Sequence, residues 1–298
     1  MKYAPAIKTL LSKTLLSLTL LLCFANVSAK APVWKVTKGD DHLYLGGTIH
    51  VLSKDDYPLP VAFEEAYKGS EHIWLETDVA QMTTSDAQAK MLSVIMYQDQ
   101  RSLSSVLEQD TYKDLTAFLQ QRQIPAAAMD KLTPGGLMLS ITAMELQRLG
   151  LIDETAGVDL HFSGRAKTDG KELKHLETID EQLSFIGKMN EIEPNSLIKS
   201  MMEEVGKTSE VWEKLLSAWK AGDMQALGDA GIKDMKAEFP LIYQTILANR
   251  NQDWMQDITQ MMKSKEVEFV LVGALHMAGD DGLIKKLTQA GYTVEQLD

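Results

Sequence analysis

A word written twice, near the two ends of the chain, constrains the fold more than any other feature. Phe269, Val270, Leu271 and Val272 run into Gly273-Ala274-Leu275-His276, and Leu43, Tyr44 and Leu45 run into Gly46-Gly47-Thr48-Ile49-His50. Each is a short apolar run that stops at a glycine and presents a histidine three residues later. Four aliphatic or aromatic residues in a row suit one buried strand and are too few for a buried helix. A strand that ends in this way is suited to holding a polar ligand at a sheet edge, and the chain makes the arrangement twice.

Strand patterns gather at both ends of the chain and helical patterns in the middle. Val33 to Thr37 and His42 to Leu45 read as a hairpin about Lys38-Gly39-Asp40-Asp41. Tyr57-Pro58-Leu59-Pro60 is a rigid extended connection, followed by a helix from about Val61 to Lys68 with Gly69 as its cap. Ile73-Trp74-Leu75 is a further buried strand, ending in Glu76-Thr77-Asp78. From about Met82 to Gly150, and again from Asp180 to Met262, apolar residues recur at helical spacing, as in Leu115, Phe118 and Leu119 or Trp212, Leu215, Leu216 and Trp219. Between them lie a helix from Gly157 to Ala166 and a short strand within Glu172 to Thr178; Leu283 to Gln289 and Tyr292 to Leu297 supply a last helix and strand. With no fixed-period repeat and no low-complexity linker, the chain reads as one α/β domain over residues 30–298. Its mixed sheet comes from the N- and C-terminal segments and carries a large helical insertion at about 82–262.

Met1 to Ala29 has the form of a secretory signal: Lys2, Lys8 and Lys13 in front, an apolar centre from Leu15 to Phe24, and Val27-Ser28-Ala29 as a small-residue cleavage site. That centre is too short to span a bilayer, so the expected product is a periplasmic or secreted protein with no stable membrane anchor after cleavage. Removing three lysines takes the formal net charge from -12 to -15. So acidic a chain is poorly suited to nucleic acid, whose binding depends on Lys and Arg neutralising phosphates. The single cysteine, Cys23, lies within the signal, so the mature chain has neither disulfide nor thiolate metal site and its core is held by burial.

Without cysteine, metal ligation falls to imidazole and carboxylate. His50, Glu76 and His276 each follow the end of a strand, where ligand sites in sheet proteins gather. They offer a set of two histidines and one carboxylate with room for water. Taken singly, each also fits a hydrogen-bonded structural role. His42, His72, His161 and His175 read as structural or exposed. Arg250 and Asn251 stand on a helix otherwise rich in apolar residues, where a guanidinium needs a partner such as Glu76, Glu177 or a substrate carboxylate; Trp254, four residues on from Arg250, reads as core. Met201-Met202 and Met261-Met262 suit either core filling or a pliable apolar groove for a peptide. A nucleophile elbow, Walker loop, dinucleotide fingerprint and His-Glu-x-x-His helix are all absent from the sequence.

Read in order, the words Leu45-Gly46-Gly47-Thr48-Ile49-His50, Tyr57-Pro58-Leu59-Pro60, Leu75-Glu76-Thr77-Asp78, Gly157-Val158-Asp159, Leu176-Glu177-Thr178 with Gln182, Arg250-Asn251 with Trp254, and Val272-Gly273-Ala274-Leu275-His276 through Gly291-Tyr292 make the chain resemble the TraB/GumN family. That family takes in the pheromone-shutdown proteins and relatives of the animal Tiki proteins. The resemblance implies a fold like that of erythromycin-esterase and haem-binding lipoprotein relatives. It also implies a metal-dependent hydrolase, most simply a peptidase acting on a peptide or protein. His50, Glu76 and His276 would hold a divalent ion such as Mn²⁺, Co²⁺ or Zn²⁺, and Glu76, Glu177, Arg250 and Asn251 would be the catalytic candidates, with Asp78 as a further base or supporting group. The other reading is a non-catalytic protein that binds haem, metal or a peptide in the same cleft.

Overall fold

The computed structural model describes residues 30–50, 52–151 and 157–298. The expected signal segment, with Cys23, lies outside the described residues. Six strands form one mixed sheet in the order β4-β3-β5-β2-β1-β6: β1 is Val33–Lys38, β2 Asp41–Thr48, β3 His72–Leu75, β4 Glu172–His175, β5 Glu268–Gly273 and β6 Thr293–Gln296. The hairpin strands β1 and β2 are antiparallel, as are β1 and β6. By contrast β5 runs parallel to both neighbours, β2 and β3, and β3 runs parallel to β4. Four adjacent strands therefore end along one edge of the sheet.

The reason β5 reads as an unbroken apolar run is its place in the middle. Phe269 and Leu271 face one core cluster, and Val270 and Val272 face the other; all four are fully buried. On the first face lie the helices Val61–Lys68, Val158–Asp169 and Thr208–Lys220, supplying Phe63, Phe162 and Trp219. The second face is covered by Asn249–Met261 and Leu283–Gln289, through Trp254, Ile258, Met261, Leu283 and Leu287. A buried parallel strand covered by helices on both faces shows no polar alternation, and β5 shows none. Met261 and Met262 thus fill core. β2 runs beyond the expected end at Leu45, through Gly46, Gly47 and Thr48, because its ladder with β5 continues to the pair Thr48–Gly273.

A third cluster lies apart from the sheet, within the helical middle of the chain. Leu115, Phe118 and Leu119 on the Gln109–Gln121 helix meet Leu137 and Ile141 on Pro134–Arg148, and Ile198 and Met201 on Pro194–Glu204. Thr133 starts Pro134–Arg148 as expected, its side-chain oxygen accepting from the Gly136 amide, with the proline at the first helical position. Among the described residues no helix is long and apolar enough to cross a membrane.

Phe269 touches both Phe63 and Phe162 and is fully buried. Truncation to alanine should therefore cost about 3–5 kcal/mol of unfolding free energy, read as a lower urea midpoint at unchanged slope. A loss below about 1 kcal/mol would show that the sheet centre packs otherwise.

Candidate functional site at the carboxyl edge of the sheet

Because β4, β3, β5 and β2 are parallel neighbours, the residues just past their ends stand side by side: Glu177, Glu76, His276 and His50. The β3–β4 ladder continues one step beyond the strands, the Leu176 and Glu177 amides donating to the Leu75 and Glu76 carbonyls. The edge is closed from above by Arg250. Its helix, Asn249–Met261, continues directly from a π-helical segment, Gln244–Ala248; such wide turns are frequent at functional sites. Arg250 Nη1 donates back to the Ile246 carbonyl at 3.1 Å.

Arg250 holds both glutamates. Its Nε donates to Glu177 Oε1 at 2.8 Å and its Nη2 to Glu177 Oε2 at 2.8 Å, a two-pronged pair. Nη2 also donates to Glu76 Oε2 at 2.6 Å. The three side chains are only 7–12 % exposed. The sequence expectation that Arg250 needs a carboxylate partner is met twice over. Gln182 adds a bond to Glu177 Oε2 at 2.7 Å, and the Gly273 amide donates to the other Glu76 oxygen, Oε1, at 2.7 Å.

Each histidine is fixed through its Nδ1. His276 Nδ1 lies 2.6 Å from Asn251 Oδ1, an acceptor, so Nδ1 carries the proton and Nε2 the lone pair. Nε2 faces Glu76 Oε1 at 3.9 Å and Arg250 Nη1 at 3.3 Å. His50 Nδ1 donates to Asp159 Oδ2 at 2.6 Å, which leaves its Nε2 toward the same space. An imidazole held from behind by an acceptor while its far nitrogen is presented to a site is the usual outer arrangement of metal-binding histidines. Asn251 goes further, its Nδ2 donating to the His276 and Asp281 carbonyls at 3.2 and 2.9 Å. It positions His276 and has no atom committed to the open side.

Two glycines make the approach of these groups possible. A Cβ on Gly273 would stand 3.3 Å from Glu76 Oε1, 3.6 Å from His276 Cδ2 and 4.0 Å from His50 Nε2, so it would occupy the hollow that all three border. At Gly157 it would stand 2.5 Å from the His50 carbonyl oxygen. That glycine lets the Val158–Asp169 helix start against the His50 loop, where the Val158 amide donates to the Ile49 carbonyl at 3.1 Å and Asp159 reaches the imidazole.

The charges sort the groups. Burial holds His276 neutral, with its pKa down to about 3. The charge of Asp159 and its hydrogen bond lift His50 to about 9, so that imidazole is cationic at neutral pH. Burial opposes the Glu76 anion, but the cations of His276, Arg250 and His50, with the Gly273 amide, outweigh it and hold the carboxyl far below its ordinary range. Since His276 is neutral at pH 7, Arg250 and His50 supply that field there. Glu177 moves upward, chiefly through burial and despite Arg250. Two neighbouring carboxyls are thus pushed apart, a pattern common where acid and base roles are divided.

The expected metal set, His50, Glu76 and His276, and the catalytic candidates Glu76, Glu177, Arg250 and Asn251 stand together at this edge. The donor set suits a divalent ion once His50 gives up its proton: the Nε2 atoms of both histidines and a carboxylate oxygen border the hollow at Gly273, and both imidazoles are braced from behind. Their ligand atoms do not all lie within 4.8 Å of one another. Among the described residues that spacing is met by His72, Glu266 and Glu268, at the opposite edge of the sheet, and this His/Glu/Glu group could also hold a metal ion. His72 Nδ1 is 3.1 Å from Glu268 Oε2, with Lys174 Nζ at 3.1 Å. The sequence reading of His72 as merely structural or exposed overlooked this grouping, which depends on the β3–β5 register pairing His72 with Glu268. Asp78 instead caps its own turn, accepting from the Ala80 amide and Gln81 Nε2 at 3.0 and 2.8 Å. In the sequence Asp159 stands out only within Gly157-Val158-Asp159, one of the words that carry the family resemblance.

Fold and site together define an α/β protein with a histidine, carboxylate and arginine cluster at the carboxyl edge of a parallel sheet segment. The chain belongs to the TraB/PrgY/gumN family, whose model matches residues 32–296. It is 23 % identical over 249 residues to the uncharacterized protein YbaP of Escherichia coli (strain K12), covering 84 % of this chain and 89 % of that protein, and to the same degree to YbaP of Shigella flexneri. No solved structure gives a significant match.

Two outcomes test this geometry. In metal-free protein the His50 ring protons should titrate near 9 by NMR and return toward 6.5 in Asp159→Asn. The raised folded value means that this pair stabilises the fold fully below pH 6.5 and loses that contribution as pH rises through 9. The stability gap between wild type and Asp159→Asn should therefore narrow over that window. Replacing Arg250 by alanine strands two buried carboxylates and should cost about 3–5 kcal/mol by denaturant titration; a change near zero would mean the cluster is open to water.

Proposed function

We propose that the protein is a metal-dependent hydrolase, most simply a peptidase, working in the periplasm or outside the cell. The observation that carries this reading is the pairing of His50 and His276, each braced at Nδ1 and presenting Nε2, across the hollow at Gly273 beside Glu76 Oε1. His50, Glu76 and His276 would hold a divalent ion such as Mn²⁺, Co²⁺ or Zn²⁺, which would supply a Lewis acid for a substrate carbonyl and an acidified water.

The remaining residues have separable duties. Arg250 spends Nε and Nη2 on the glutamates and one Nη1 hydrogen on the Ile246 carbonyl, which leaves the second Nη1 hydrogen beside His276 Nε2. That nitrogen is the donor placed to stabilise negative charge developing on a carbonyl oxygen. Glu177 accepts from Arg250 at both oxygens and from Gln182. It fixes the guanidinium, and its upward-shifted carboxyl is the group best able to hold a proton in transit. Asn251 and Asp159 orient the imidazoles. Export rests on the basic, apolar and small-residue pattern of Met1 to Ala29.

The test is metal content and peptide cleavage in wild type, His50→Ala, His276→Ala and His72→Ala. Each of the first two variants should lose about tenfold or more in metal affinity, with cleavage lost alongside, and Asp159→Asn about tenfold; His72→Ala should keep both. Unchanged metal binding in His50→Ala and His276→Ala, or its loss in His72→Ala alone, would move the ion to the other edge of the sheet. Metal binding at the expected residues without turnover of any peptide would leave a binding protein.

A further inference from the structure

The helical middle of the chain surrounds an open groove of about 620 Å³ whose lining includes Arg250 and Gln182, both members of the cluster described above. Its walls are apolar and pliable: Met138, Phe185, Trp212, Met235, Phe239 and Ile246 all line it, and each is only half-buried. The volume is that of a ligand site and exceeds a packing defect. Methionine and aromatic walls adapt to different apolar side chains.

The groove is also acidic. Glu204, Asp234 and Glu238 border it. Glu204 pairs with Lys207 at 2.7 Å, whereas Asp234 and Glu238 make no ion pair among the described residues. Both stand on the Lys233–Glu238 helix at a spacing of four, where like charges repel. A cationic occupant would relieve that repulsion. A fatty acyl chain ending in an anion would meet these carboxylates and a chain of net charge -12, so the groove's chemistry disfavours it. Polar groups along the walls, Thr142, Ser200 and Gln182, can pair with a peptide backbone.

We infer that this groove receives a peptide segment carrying bulky apolar residues together with lysine or arginine, and leads it to Arg250. Resting on the hydrolase reading above, this names the substrate class of that site: the apolar residues occupy the groove next to the bond presented at His50, Glu76 and His276, and the basic residues lie along Asp234 and Glu238.

Binding separates the two readings. Fluorescence anisotropy would follow three labelled peptides on the full chain and on His276→Ala: one of leucine, phenylalanine and lysine, its glutamate counterpart, and a glycine-serine peptide with the same lysines. The first should bind at least about tenfold more tightly than the other two, and equally well to His276→Ala. Asp234→Lys with Glu238→Lys, both exposed, should weaken it about three- to tenfold, the size of two exposed charge pairs, and lessen discrimination against the glutamate peptide. Met235→Glu should also weaken it. Equal binding of all three peptides, indifference to charge reversal, or preference for a labelled palmitate would overturn the groove assignment. Binding as described with no cleavage would overturn the hydrolase reading and leave the groove.

Discussion

The guanidinium of Arg250 is the interaction on which the rest of the site depends. It joins Glu76 after β3 and Glu177 after β4 to a helix that crosses the edge of the sheet. Two carboxylates buried this deeply would repel each other and lose hydration without a cation between them. With Arg250 in place Glu76 remains an anion and presents Oε1 to the Gly273 amide and toward His276. Structural and chemical roles therefore coincide, since the charge that allows burial also faces the hollow where chemistry would occur.

Around this cation the protein sets two histidines in opposite states. His276, buried beneath Trp254 at 4.4 Å between ring centroids, is kept neutral by its surroundings. His50, with a side chain 65 % exposed, is kept charged by Asp159. Metal binding requires the neutral imidazole, so on the proposed reading His276 would be ready for a ligand role while His50 would first release a proton. Metal uptake there would then be coupled to proton loss at the outer rim.

The sheet supplies the rigidity that such a cluster needs. β5 is packed on both faces, and the residues that follow it are tied to β2, to Asn251 and to the start of the last helix. The helical middle contributes a separate apolar cluster and the open groove, which the same arginine helps to line. Stable sheet and adaptable helices thus meet at one side chain.

Much of this was legible in the sequence because it depends on local order. The buried strand at Phe269 to Val272, the proline start of Pro134–Arg148 and the extent of Val61–Lys68 follow from periodicity and capping, His50 and His276 from the strand-glycine-histidine word and Glu76 from its place at a strand end, whereas Glu177, Arg250 and Asn251 entered through a guanidinium's need for a partner and the family resemblance. What tertiary structure alone decided was partnership. That Asp159 holds His50 from 109 residues away, that Asn251 works behind His276, that Asp78 turns back on its own loop, and that His72 meets Glu266 and Glu268 all depend on strand register and helix approach. The physical reason is that a charged side chain chooses among every partner the fold brings within reach, and that set is fixed by packing across distant segments rather than by neighbours along the chain.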